Sequence, residues 1–295
     1  MKNKAYAKLA IKIAVFYFIA GSFCQRIQAQ SEIRFRLVRD SIIVVSMTAD
    51  DQGPFDFVLD TGADTTILDP SLASKLSLAT LGRVQQTTLT SAQALTVGRL
   101  ARLSVGAAQV ENLPVLVQDL SGLRKMDSHI EGIAGQDFLS HFNYLIDYWK
   151  RSVRIEQADE IRGSVQGEPV PIEVSGHRMI IASEVQSVGH ANLRFLLDSG
   201  ANSVVLLPAA SHALNLSVQE SRSDVTTSGQ AELKVGRIRE LKVGSQQFHD
   251  LAVALPSTEP AARIGDGLLP TSLFKTVYVN NREGFVMFNP RVSKN

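Results

Sequence analysis

The chain repeats itself once at a fixed offset, and that repeat restricts the folds open to it more than any other feature. Shifted by 138 positions, Phe57-Val58-Leu59-Asp60-Thr61-Gly62-Ala63 lies over Phe195-Leu196-Leu197-Asp198-Ser199-Gly200-Ala201. The same shift carries Pro70 onto Pro208, Leu76 onto Leu214, and Val97-Gly98-Arg99 onto Val235-Gly236-Arg237. Leu103, Val105 and Gly106 then fall on Leu241, Val243 and Gly244 without a gap. After a slip of three residues, Glu131-Gly132-Ile133 meets Asp266-Gly267-Leu268. A period this long marks two copies of one structural unit, and 295 residues accommodate two domains of ordinary size.

Within each copy the local pattern is that of a β protein. Residues 42–47 and 55–59 are β-rich runs separated by Asp50-Asp51-Gln52-Gly53-Pro54, a turn cluster, and predict a hairpin. Residues 65–68 predict a short strand. Asp69-Pro70 predicts a helix N-cap followed by proline at the first helical position, with Leu72 and Leu76 on one face. Residues 83–119 predict several more strands with turns at Gly98 and Gly106. A short helix is expected near 136–142, with closing strands at 144–148 and 153–155. The acidic, glycine-containing stretch 157–168 reads as a linker. It divides the chain into lobes 30–156 and 169–295, each mostly β with one or two short helices.

The N-terminus is of another kind. Lys2, Lys4, Lys8 and Lys12 precede an apolar run from Ile13 to Cys24, and Ala29 offers a small residue for cleavage. Residues 1–29 therefore read as a secretory signal peptide, which predicts an exported, periplasmic or secreted protein. The run is too short for the ~20 residues that span a bilayer, so no stable membrane span is expected. Cys24 is the only cysteine and would leave with this segment, so no disulfide is expected. Five of the 30 basic residues and none of the 29 acidic ones precede Gln30, so cleavage takes the net charge from +1 to −4. That balance gives no overall electrostatic footprint for nucleic acid or an anionic membrane.

The repeated motif has a chemistry of its own. An apolar strand ends in an aspartate, glycine permits a sharp turn, and alanine keeps the turn small. A carboxylate held this way sits on rigid strands, and a pseudo-twofold would bring Asp60 and Asp198 together. Two adjacent carboxylates cannot both ionise; they share a proton, so one serves as base and the other as acid toward a water between them. No metal, cofactor or covalent intermediate is needed. A single Asp-Thr-Gly-Ala is weak evidence, since Asp and Gly are common in ordinary turns. A second copy at the matching place in a repeat is much stronger.

These residues make the sequence resemble the retropepsin-like aspartic peptidases, in a single-chain form with two catalytic halves. The resemblance covers roughly residues 40–290 and implies two similar β-barrel lobes related by a pseudo-twofold. It implies catalytic roles for Asp60 and Asp198, and supporting roles for the turn residues Thr61, Gly62, Ala63, Ser199, Gly200 and Ala201. Thr61 and Ser199 would hydrogen-bond across the pseudo-dimer. Residues 90–94 and 228–232 would belong to flaps over the cleft, and Ile133-Ala134-Gly135 before residues 136–139 matches a third family mark. The implied activity is cleavage of a peptide or protein bound in extended conformation. With both aspartates on one chain the monomer should be active, unlike the dimeric viral relatives.

Two departures from the family pattern bear on this. Pro270 stands where Gly135 stands in the first half, and proline fixes φ and lacks an N–H, so the loop behind Asp198 is expected to differ in shape. This feature most favours a rival reading, a non-catalytic peptide-binding protein that keeps the bilobal fold. A further alternative pairs each half with another chain in an obligate oligomer. Ala63 and Ala201 replace the Ser or Thr of pepsin-type enzymes, which predicts a less acidic optimum than that of stomach-type enzymes. Other chemistries find little support. The six histidines lack metal-ligand spacing, and neither a Gly-x-Ser-x-Gly motif nor a phosphate-loop pattern is present.

Overall fold

A computed structural model describes residues 31–87, 92–156, 160–226, 229–259 and 265–292. The expected signal peptide lies outside the described residues, as do positions 90, 91 and 228 of the expected flaps.

The duplication is visible in the sheet order. In the first half, eight strands lie side by side in the order 36–38, 42–49, 52–59, 130–134, 67–68, 108–117, 92–105 and 79–87. In the second, the order is 173–175, 178–186, 190–198, 267–270, 205–206, 246–255, 229–243 and 220–226. Each sheet closes on itself at the equivalent place, Thr48 opposite Ser104 and Val185 opposite Leu241. The result is mostly β with two similar barrel-like lobes, the fold class that the sequence predicts.

Local sequence explains the individual elements. Ile42–Ala49 and Gln52–Leu59 form the expected hairpin, with Asp50 and Asp51 at positive φ in its turn. Strand Gln52–Leu59 leaves the turn with Gln52, Gly53 and Pro54 exposed and then buries Phe57, Val58 and Leu59 in succession as it enters the core. Phe195, Leu196 and Leu197 do the same in the second lobe. Each completely buried phenylalanine contributes about 1.5–3 kcal/mol of apolar transfer, enough to fix which face of the strand points inward.

Asp69 caps helix Pro70–Lys75 as the sequence implies, and Leu72 and Leu76 are both buried. The Asp69 carboxylate accepts the Ser71 N–H at 3.0 Å, the Ser71 hydroxyl at 2.6 Å and the Leu120 N–H at 3.2 Å. Arg124 adds a charge-assisted bond at 3.2 Å. Burial pushes this carboxyl up, but the Ser71 and Leu120 bonds and the Arg124 charge outweigh it and hold it below its usual value of 3.8. The cap therefore stabilises the fold above the unfolded value, and that stability is lost as pH falls through the lowered one. Asp69→Ala strands the buried Leu120 N–H and uncaps Ser71, and should cost about 1–3 kcal/mol at neutral pH, measured as a fall in urea midpoint that shrinks toward acid.

Three features differ from the sequence reading. Gly98 is not a turn: strand Ala92–Val105 runs straight through it, and only Gly106, at φ 57°, turns the chain. The glycine is there for close approach, since a Cβ at position 98 would lie 2.2 Å from the Leu78 side chain. Second, the linker stretch contains a helix, Glu160–Ser164, and a strand, Val165–Gln166, that pairs with Arg291–Val292. Ile161 is fully buried beside Leu145, Tyr278 and Met287. Third, the halves share a six-stranded sheet, in the order 31–34, 152–156, 143–147, 276–280, 285–288 and 170–171. Its central pairing sets Leu145 opposite Tyr278, so the lobes are joined by a continuous ladder of hydrogen bonds rather than by a tether alone.

Candidate active site

The two motif turns meet at the junction of the lobes. Strand Gln52–Leu59 lies parallel to Ile130–Ala134, and the Asp60 N–H donates to the Ala134 carbonyl at 3.0 Å as the chain leaves the sheet. In the second lobe Asp198 ends strand His190–Asp198, parallel to Gly267–Pro270, with Asp198 opposite Pro270. Both aspartates thus project from strand ends held on rigid sheet.

Thr61 and Ser199 lock the turns to each other. The Thr61 hydroxyl donates to the Leu197 carbonyl at 2.8 Å and accepts the Ser199 N–H at 3.0 Å. The Ser199 hydroxyl donates to the Leu59 carbonyl at 2.6 Å and accepts the Thr61 N–H at 2.9 Å. All four bonds cross between lobes and are buried, so they carry their strength without competition from water.

The small residues of the turns let the carboxyls come together. Within its own turn, Asp60 accepts the Gly62 N–H at 2.8 Å. Asp198 accepts the N–H groups of Gly200 and Ala201 at 2.8 and 3.0 Å. Each carboxyl also packs on the opposite glycine: a Cβ at Gly62 would sit 2.5 Å from the Asp198 carboxyl carbon, and one at Gly200 would sit 2.7 Å from Asp60 Oδ2. The two side chains are close enough to influence each other's protonation directly.

Burial raises both carboxyls above the usual 3.8, and the nearby Asp60 charge drives Asp198 further up. The turn N–H groups oppose the rise without cancelling it. Two raised carboxyls this close titrate as a pair, and their burial and mutual charge favour one proton held between them over two ionised groups.

Pro270 does not displace this geometry, and the reason lies in a coordinated change of partners. In the first lobe the Gly135 N–H donates to the Thr66 hydroxyl at 3.2 Å, and Asp137 accepts both the Thr66 hydroxyl, at 2.6 Å, and its N–H. Burial pushes Asp137 up despite those bonds. In the repeat, Thr66 corresponds to Val204, Gly135 to Pro270 and Asp137 to Ser272. The hydroxyl and the N–H that served it are lost together, so neither is left unpaired, and Val204 is buried in the core instead. What does change is the following helix. Gln136–Leu139 becomes the single 3₁₀ turn Thr271–Leu273. Gln136 donates to the Thr61 carbonyl at 3.3 Å, whereas Thr271 shares a 2.6 Å bond with the Tyr148 hydroxyl.

One group of residues beside the site is absent from the sequence reading. Arg178, at the start of strand Arg178–Gln186, reaches across to Asp64 with its Nε at 2.9 Å and its Nη2 at 2.7 Å, a forked pair between lobes. Asp64 follows the first catalytic-type turn, and its charge adds to the rise of Asp60. In the repeat its place is taken by Asn202, the one hint in the sequence that this flank is asymmetric. Nothing local ties position 64 to position 178. Arg178→Ala should cost about 1–2 kcal/mol, as a forked but partly exposed pair. It should also leave the Asp64 charge unbalanced, raise Asp60 further and move the acid limb of any pH–rate profile upward.

Among the described residues no three His, Cys, Asp or Glu side chains gather in a metal-binding arrangement. No described helix is long and apolar enough to cross a membrane.

Comparison with known proteins agrees with the duplicated architecture. A family model described as "Aspartyl protease" matches twice, over residues 45–138 and 183–273, and each match contains one of the two motif aspartates. Among curated proteins none matches. Among solved structures, the chain is similar to a retropepsin-like aspartic protease from Rickettsia conorii. That protein is 15% identical, over 43% of this chain and 93% of its own, with a TM-score of 0.32. The two matched segments together span more than half of the sequence, and the chain belongs to the aspartyl protease family, with the family's unit present twice.

Proposed function

We propose that the chain is an aspartic endopeptidase in which Asp60 and Asp198 activate one water between them. The supporting observation is the mutual packing of each carboxyl on the opposite turn's glycine. In this reading Asp60 takes a proton from the water as its oxygen bonds to the scissile carbonyl carbon. Asp198 gives its proton to the carbonyl oxygen. The resulting gem-diol collapses as Asp60 gives its proton to the amide nitrogen, the C–N bond breaks, and a gem-diol hydroxyl returns a proton to Asp198, which restores the shared proton. The substrate lies extended and pairs its backbone with the edges of the cleft and with the long hairpins of each lobe. The protein works as a monomer, after export to the periplasm or beyond. The rival binding-module reading rested on Pro270, and the Asp198 turn keeps its N–H donors despite that residue.

A cleavage assay on an unfolded protein, with size-exclusion alongside, tests this. Wild type should digest as a monomer, with a pH optimum less acidic than that of stomach-type enzymes; Asp60→Asn and Asp198→Asn should not digest. If both variants match wild type, the proposal fails. If none of the three digests, the binding module gains, and an optimum near pH 2 would contradict the raised carboxyls.

A further inference from the structure

We propose that the turn at residues 148–151, with the basic side chains around it, docks on the surface of a membrane rich in anionic phospholipid. This does not rest on the peptidase reading. Trp149, the only tryptophan in the chain, lies at the tip of this turn and is 85% exposed. A large ring with a single polar N–H gains little from standing in bulk water and is suited to the headgroup level of a bilayer.

The surroundings supply matching charge. Lys150, Arg151, Arg34 and Lys275 are all exposed, and hydrogen bonds tie them to this turn. Arg34 Nη1 donates to the Lys150 carbonyl at 2.8 Å, the Phe35 N–H to the Arg151 carbonyl at 3.0 Å, and the Tyr148 N–H to the Lys275 carbonyl at 2.9 Å. The acid of the turn is Asp147, largely buried and 3.8 Å from Lys150 Nζ, so a positive surplus remains around Trp149. The balance of the whole chain hides this surplus, because only the fold brings position 34 and position 275 to the same turn. Beneath the tip, Tyr148 packs edge-on against Phe35 and bonds Thr271, which gives the ring a rigid mount.

Trp149 is its own reporter, because the full chain holds no other tryptophan. With vesicles of phosphatidylglycerol and phosphatidylcholine in equal parts, its emission should move to shorter wavelength and be quenched by brominated acyl chains. Lys150→Gln with Lys275→Gln, checked for an unchanged Tm, should weaken that partitioning by roughly 30-fold, and high salt should weaken it too. An unchanged emission with these vesicles overturns the proposal, even if the protein sediments with them through another segment. So does an equal response to phosphatidylcholine alone. An emission shift that follows protein concentration without vesicles assigns the surface to a second copy of the chain and overturns it as well.

Discussion

Alanine at position 62 or 200 should cost about a hundredfold or more in kcat/KM while leaving both aspartates in place. The reason is steric. A Cβ at Gly62 would lie 2.5 Å from the Asp198 carboxyl carbon and 2.7 Å from both its oxygens, and one at Gly200 would lie 2.7 to 2.9 Å from the Asp60 carboxyl. Normal contact requires the carboxyl to retreat by about 1 Å, and that displacement is enough to spoil the alignment of a water with both acids. The retreating carboxyl also loses the N–H bonds of its own turn, so Tm should fall too, by overpacking worth about 1–3 kcal/mol. Gly163→Ala is the control. Its added methyl meets nothing within 4 Å and lies on a helix, so activity and Tm should hold. If Gly62→Ala cleaves as wild type does, the carboxyls are not in contact during turnover.

Asp198→Asn should separate activity from stability. Cleavage should fall by about a thousandfold, because the amide cannot release a proton to the substrate carbonyl. Stability should move the other way. Burial and the Asp60 charge raise Asp198 well above the unfolded value of 3.8. The folded protein therefore holds this proton over a range in which the unfolded chain has lost it, and wild-type stability declines as pH rises from 3.8 toward the raised value. Asparagine has no such dependence. It still accepts the Gly200 and Ala201 N–H groups through its oxygen and donates to Asp60 through its nitrogen. The Tm of the variant should match wild type in acid and equal or exceed it near neutrality. A variant less stable at neutral pH would mean that the carboxyl is ionised in the resting protein.

How much of this was legible in the sequence depended on how local the signal was. The Asp69 cap, the turn at Gly106 and the burial of Phe57 and Phe195 are each encoded within a few residues. The offset of 138 positions carried the rest of the second lobe with it. Gly98 misled because a glycine in a strand looks like a turn until Leu78 is seen packed on it. The stretch 157–168 misled by composition, since Ile161 and Val165 are outnumbered by polar neighbours yet both are buried. The shared sheet, the Arg178 fork on Asp64 and the basic surround of Trp149 all join residues more than a hundred positions apart. Periodicity and turn chemistry do not report such pairings. Pro270 is the most instructive case: it is anomalous alone, and reconciled only when Val204 is seen to have dropped the hydroxyl that the missing N–H would have met.

The central claim is one proton shared by two carboxyls, and carboxyl carbon NMR of the chain between about pH 3 and pH 8 tests it directly. Asp60 and Asp198 should titrate in two separated steps, with the later one well above the usual aspartate range, and in Asp60→Asn or Asp198→Asn a single step should remain. Two independent titrations near 3.8, unaltered in either variant, would contradict the account.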